Sequence, residues 1–242
     1  QALLLFFLSS HAGEAGHNCP IACSAGLIRV LQRCKNIPQR ENYLERLTRP
    51  SFKHNFTAAQ FLTELQGGSD VGANQVYATP TDNGFYKING EKWFCSNANA
   101  DLILISARYS DNPGTRGIGL FLIPTQLPNG AANRFNIRRL KEKIGTRALA
   151  SAEIDFHNTL AYPITPLQGS FEILMQEVLH ISRLYNTYCV LGMGRRAHQI
   201  ASSYAKYRYA FGKTIINYPL VKANLNQVQV ENTALMAAAT AT

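Results

Sequence analysis

The chain has no Cys-x-x-Cys pair, no His-x-x-x-His pair and no Gly-x-Ser-x-Gly elbow. Those absences remove the zinc-ribbon and dithiol-oxidoreductase motifs, the helical zinc-hydrolase motif and the serine-hydrolase nucleophile turn. Gly192-Met193-Gly194 lacks the third glycine of a dinucleotide fingerprint, follows no strand and sits inside a helical pattern. No lysine follows Gly67-Gly68-Ser69-Asp70, which excludes a phosphate-binding P-loop. Long apolar runs are missing too. ALLLFFL at 2–8 falls far short of the ~20 residues that cross a bilayer. No basic residue precedes it, so it reads as a core helix entered partway along rather than as a signal peptide. The chain reads as part of a longer fold.

Acidic residues are scarce: 15 against 24 lysines and arginines, for a net charge of +9. The stretch RFNIRRLKEKIGTR (134–147) concentrates that excess, and a second basic segment runs from Arg195 to Lys213. Such a chain attracts polyanions, among them nucleotides, coenzyme A, nucleic acid and anionic lipid, although basic runs more often form solvated faces. Hydrophobic content of 46% with 16% charged residues is that of an ordinary globular protein. Five cysteines are present, of which Cys19 and Cys23 stand four apart. A zinc site there would have only His11 and His17 to complete it, so buried free thiols are expected and no metal.

Texture divides the chain in three. Residues 1–57 are helical, with Leu27, Ile28, Leu31 and Cys34 at the spacing of one helix face. From 58 to 164 the segments QVYATP, GFYKING, EKWFCS, DLILISARY, GIGLFLIP and AEIDF read as short strands, with TDNG (81–84) as a hairpin turn. Residues 165–242 return to helix, since Phe171, Leu174, Met175, Val178, Leu179, Leu184, Tyr188 and Leu191 repeat at three-and-four spacing. The expected fold is α+β: an N-terminal helical layer, a central antiparallel sheet or barrel, and C-terminal helices.

Three motifs share this frame. Thr63-Glu64-Leu65-Gln66-Gly67-Gly68-Ser69-Asp70 lies at the entry to the sheet. Gly90-Glu91-Lys92-Trp93-Phe94-Cys95-Ser96-Asn97 lies on a strand, and Arg208-Tyr209-Ala210-Phe211-Gly212 ends the long helix. Separately they are a turn, an aromatic strand and a helix cap. In this order and spacing, the set resembles the acyl-CoA dehydrogenase flavoprotein family. There the first motif reads Thr-Glu-Pro-Gly-(Ala/Gly)-Gly-Ser-Asp; Leu65 and Gln66 replace its proline and first glycine. The Gln-Gly-Gly-Ser-Asp and Lys-Trp-Phe forms, GEAGHNCP near the start and RRLKEKIGTRALAS resemble the AidB-like branch in particular.

The resemblance implies a FAD site. Thr63 would bond the pyrimidine edge of the flavin, and Gly67 and Gly68 would let main-chain N–H groups approach phosphate. Ser69 would meet the pyrophosphate or the acyl-CoA. Phe94 would pack on the flavin and Ser96 would bond near N5, with Leu62 and Cys95 flanking them in the cofactor set. Arg208 and Phe211 would reach the FAD of a neighbouring subunit in a homodimer or homotetramer. Arg183 would be an active-site and substrate-binding residue. The catalytic base is not identifiable: Ser182 fills the position used by a minority of the family, and Glu172 and Glu177 are guesses. The implied reaction is α,β-dehydrogenation of an acyl-CoA, with an electron-transfer flavoprotein or, in an acyl-CoA oxidase, oxygen as acceptor. Rival readings are an AidB-like flavoprotein acting mainly on DNA, and a flavin-free paralogue. The compartment would be cytoplasmic in a bacterium, or mitochondrial in a eukaryote.

Overall fold

A computed structural model describes residues 1–241, which group into two compact units. The larger unit, Cys19–Ser182, contains helices α2 (Cys19–Arg33) and α3 (Arg40–Thr48) and a seven-stranded sheet. The strands are β1 (Ala58–Phe61), β2 (Tyr77–Pro80), β3 (Tyr86–Ser96), β4 (Leu102–Arg108), β5 (Ile118–Pro124), β6 (Phe135–Leu140) and β7 (Ser151–Pro163). A helical turn, α4 (Ser170–Ile173), continues through a π-helical stretch at Leu174–Leu179. The smaller unit joins Gln1–Asn18 to Arg183–Thr242. It holds α1 (Ala2–Ser9), most of α5 (His180–Tyr207), the two-stranded hairpin β8 (Tyr209–Ala210) and β9 (Lys213–Thr214), and α6 (Pro219–Thr240).

The pairings β4–β2–β3–β7–β5–β4 close a ring, with β1 and β6 extending β4 and β7. The expected antiparallel arrangement holds for β2–β3, β3–β7, β4–β5, β5–β7 and β6–β7, while β1 and β2 run parallel to β4. The sheet is therefore mixed. Alternation explains why β4 and β5 read as unbroken apolar runs. Leu102, Leu104, Leu120 and Leu122 face a core shared with Leu27, Leu31, Tyr43 and Leu47 of α2 and α3. Ile103, Ile105, Phe121 and Ile123 face a second core with Phe61, Ile88, Ile154 and Phe156. Both faces are covered, so neither can be polar. Full burial of each such side chain contributes roughly 1.5–3 kcal/mol.

Helices α2 and α3 share a core with the sheet and with Leu174 and Val178, so they belong with it. ALLLFFL forms α1 as expected, with Phe6 and Phe7 buried but Leu4, Leu5 and Leu8 exposed. Gly192 and Gly194 lie in α5 and serve packing. A Cβ on Gly192 would stand 2.3 Å from the carbonyl oxygen of Phe7, so glycine lets α1 approach. No helix among the described residues is long and apolar enough to cross a membrane.

The basic run 134–147 contributes β6, whose residues from Asn136 to Leu140 are exposed, and several of its cations are paired. Arg138 pairs with Glu91 (2.9 Å) and Asp155 (2.7 Å) on the neighbouring strands. Arg139 and Lys141 both hold Glu153 at 2.7 Å. Those two cations bonding the Glu153 carboxylate, Arg139 first, draw its pKa down to about 2.

Candidate functional site

The loop after β1 is fixed from beneath. Glu64 is buried, and its carboxylate takes the Lys92 ammonium at 2.7 Å and the amides of Gln75 (2.6 Å) and Val76 (3.2 Å). Lys92 points into the sheet, fully buried, where it also donates to the Leu62 carbonyl (3.0 Å) and to Ser106 Oγ (3.3 Å). Asn74 reinforces both acceptors, donating to Leu62 O at 2.8 Å and Ser106 Oγ at 3.3 Å. Burial holds the Lys92 pKa below its usual value, with the Glu64 carboxylate pulling the other way. Arg108 then ties down the next turn through Asn74 O (3.2 Å) and Gly72 O (2.6 Å). Every polar group under the loop has a partner, which makes its main chain rigid.

Above this base the loop turns tightly. Glu64 and Gly67 exchange main-chain hydrogen bonds at 3.0 and 3.3 Å, and Gly67 has φ +137°, a conformation only glycine takes without strain. The Trp93 amide donates to Thr63 O at 2.9 Å, clamping the loop to β3. Gly68 is pressed against Thr63: a Cβ there would lie 2.8 Å from Thr63 Oγ1. The hydroxyls of Thr63 and Ser69 and the amides of Gly68, Ser69 and Asp70 make no hydrogen bond to other groups among the described residues. Three open N–H groups beside two open hydroxyls form a donor set that suits an anionic or carbonyl-rich ligand.

Strand β3 supplies the neighbouring wall, with a change of phase. Buried positions fall at Ile88, Lys92 and Cys95, and the pairing with β7 slips between Lys92 and Cys95. Strict alternation would bury Phe94 and expose Cys95; the bulge reverses both. Phe94 is consequently 45% exposed, and Cys95 is sealed in the core, where burial raises its thiol pKa far above the ordinary value. The expected place of Cys95 in a cofactor site is thus confined to its main chain. Lys141 Nζ lies 3.2 Å from the Trp93 ring centroid and 5.4 Å from that of Phe94. Ser96 Oγ meets Ser151 Oγ at 3.5 Å. Leu62, Thr63, Gly68, Ser69, Phe94 and Ser96 therefore all belong to the two clamped segments of one unit.

Arg183, Arg208 and Phe211 belong to the smaller unit. Arg183 is exposed on α5. The Arg208 amide closes α5 onto Tyr204 O (2.7 Å), and Phe211 sits at φ +51° in the β8–β9 turn, 95% exposed. Tyr218 Oη donates to Ala210 O (2.9 Å) and Phe211 O (2.8 Å), which holds that turn in shape. Neither guessed base is free: Glu177 pairs with Arg29 (3.1 Å) and Arg33 (2.9 Å), and Glu172 accepts from Gln176 (2.8 Å). Ser182 Oγ donates to Gln60 Oε1 at 3.3 Å. A groove of about 520 Å³ between α5 and α6 is lined by Leu191, Arg195, His198, Asn232 and Met236 and includes none of the motif residues. What sequence reasoning missed is the base of the site, Lys92, Asn74, Ser106 and Arg108. Lys92 at a buried-phase strand position was the one available signal.

Comparison with known proteins matches residues 59–159 to the middle domain of acyl-CoA dehydrogenases and residues 171–242 to their C-terminal domain. Acyl-CoA dehydrogenase family member 11 of Caenorhabditis elegans is 32% identical over 98% of this chain and 39% of its own length. The putative acyl-CoA dehydrogenase AidB of Escherichia coli is 30% identical over 90% of this chain and 41% of its own. The crystal structure of Caenorhabditis elegans ACDH-11 in complex with C11-CoA superposes with a TM-score of 0.83 at 31% identity, covering 88% of this chain and 37% of that one. The chain spans about two fifths of the length of the curated relatives it matches.

Proposed function

The chain belongs to the acyl-CoA dehydrogenase family, and on that footing we propose that it forms part of a FAD-dependent oxidoreductase that dehydrogenates an acyl-CoA at its α,β-carbons. The observation that carries this reading is the loop at 62–70, rigid beneath and left with open donors above. FAD, when bound, supplies the hydride acceptor; the protein supplies binding and orientation. The cradle fits it: Thr63 offers a hydroxyl to the pyrimidine edge, and the amides of Gly68 and Ser69 suit a pyrophosphate. Phe94, turned outward by the bulge, presents a ring for stacking. Ser96 would offer a hydroxyl to the flavin's N5 edge.

Ser69 and Arg183 are the substrate-side residues in this reading, and an electron-transfer flavoprotein or oxygen takes the electrons. Arg208 and the exposed Phe211 fit a contact between copies in a homodimer or homotetramer, each reaching its neighbour's flavin. Glu177 is engaged in ion pairs and Glu172 in a hydrogen bond, and no general base is assigned. The DNA-centred alternative draws on the +9 charge, but β6, the densest basic segment, spends Arg138, Arg139 and Lys141 on Glu91, Asp155 and Glu153. That leaves it less support than net charge suggests.

The test is the visible spectrum of the purified protein after incubation with FAD, followed by anaerobic addition of a panel of acyl-CoAs. Bound flavin whose bands bleach with one chain class is the expected result. Failure to retain flavin removes the cofactor reading; retained flavin that no acyl-CoA bleaches removes the dehydrogenase reading.

A further inference from the structure

Arg46 stands in the last turn of α3, and its guanidinium carbon lies 4.2 Å from the centre of the Phe56 ring. The Arg46 carbonyl accepts the Phe56 amide at 2.9 Å, which ties the helix end to the ring. Stacking uses the flat face of a guanidinium and leaves its N–H edge for a carboxylate or phosphate. Here that edge is unused. Arg46 makes no ion pair and no side-chain hydrogen bond among the described residues, and its Nε is buried without a partner. A buried donor left open is costly unless something outside the chain takes it.

Arg46 lines a cavity of about 290 Å³ where α3 meets the start of β4 and the end of β5. Asp101 lines the same cavity, yet the two make no ion pair with each other. Asp101 is firmly held: its Oδ2 accepts the Thr57 amide at 2.8 Å, and its carbonyl accepts the Thr125 amide (2.9 Å) and hydroxyl (3.0 Å). Its Oδ1 has no partner among the described residues. Tyr43 and Leu102, both buried, line the cavity from the core side. The rim beyond β5 is a closed turn, in which the Leu127 and Gly130 amides donate at 2.8 Å to Ala131 O and Leu127 O. The cavity is therefore preorganised. One cation and one anion line it, each with bonding capacity to spare and neither spending it on the other.

We propose that this cavity binds a free α-amino acid with an apolar side chain. The Arg46 fork takes the carboxylate, a pairing whose planar geometry it matches. Asp101 Oδ1 takes the ammonium, and Phe56, Pro124 and Leu127 offer apolar surface to the side chain. A simple carboxylate or a phosphate would satisfy Arg46 but place a second negative charge beside Asp101, which a zwitterion avoids. The size agrees. Pockets for drug-sized ligands run from roughly 300 to 1,000 Å³, so a cavity of about 290 Å³ matches an amino acid better than coenzyme A. No lining residue belongs to the loop at 62–70 or to the strand motif at 90–97. The site is separate from the flavin cradle, and the inference stands whether or not that loop takes a flavin.

The experiment is isothermal titration calorimetry of the full chain with leucine and with phenylalanine. Two further probes each lack one end of leucine: 4-methylpentanoate has no ammonium and leucinamide no carboxylate. Saturable binding of at least one amino acid is expected, with each truncated probe weaker by about tenfold or more. Arg46→Gln should weaken amino-acid binding by a similar factor. So should Asp101→Asn, which keeps an acceptor for the Thr57 amide. Circular dichroism checks that the variants fold, and the truncated probes test the same two contacts on the parent chain if one does not. Absence of saturable binding by both amino acids overturns the proposal. So does a folded Arg46→Gln that binds as the parent does, or 4-methylpentanoate binding as tightly as leucine.

Discussion

Lys92→Met tests the base of the loop. The substitution keeps the length of the side chain and removes the charge that faces Glu64 at 2.7 Å in a fully buried setting. Removing one partner of a buried ion pair costs about 3–5 kcal/mol, because the other charge stays behind uncompensated. Here the loss belongs near the lower end of that range. Each acceptor of Lys92 that could be stranded keeps a second donor: Asn74 for Leu62 O and Ser106 Oγ, and the Gln75 and Val76 amides for Glu64. About 3 kcal/mol at a urea slope of about 2 kcal/mol/M is a midpoint shift of roughly 1.5 M. Trp93, the single tryptophan, adjoins Lys92 and clamps the loop through its amide, so its fluorescence reports unfolding at the place perturbed. Glu64→Gln combined with Lys92→Met removes the stranded carboxylate and should recover more than half of the loss. If the double variant is as unstable as Lys92→Met alone, lost packing of the lysine stem explains the cost and charge compensation does not.

Gly68→Ala should raise the FAD dissociation constant about tenfold, since an added Cβ 2.8 Å from Thr63 Oγ1 must displace that hydroxyl; flavin fluorescence titration reads the affinity, and circular dichroism should not change. Glu153→Gln should flatten the acid limb of melting temperature against pH. The folded pKa lies near 2, below the ordinary 4.5, so its stabilisation is complete above about 4.5 and is lost as pH falls toward 2; scanning calorimetry from pH 2 to 7 checks the window, and an unchanged acid limb would refute it. Gly192→Ala should loosen α1 from α5, because its Cβ meets the Phe7 carbonyl at 2.3 Å, and limited proteolysis should then cut within residues 1–18 sooner than in the parent chain.

What the sequence discloses follows the range of the interaction concerned. The hairpin turn at 81–84 is written in four adjacent residues, and Gly84 takes its expected left-handed φ of +79°. The two-sided burial of β4 and β5 is visible as apolar runs too dense for a solvated face. Pairing partners are not local, and there the reading fails: β1 is absent from the expected strands, although it pairs in parallel with β4, Ala58 opposite Leu102. Likewise β6 looked like spare positive charge because its acids, Glu91, Asp155 and Glu153, come from other strands. The candidate site shows the same split. Its loop motif is contiguous and legible, whereas the bulge that exposes Phe94 and hides Cys95 exists only in register with β7. Chemistry that depends on a neighbour from another strand has to be built before it can be read.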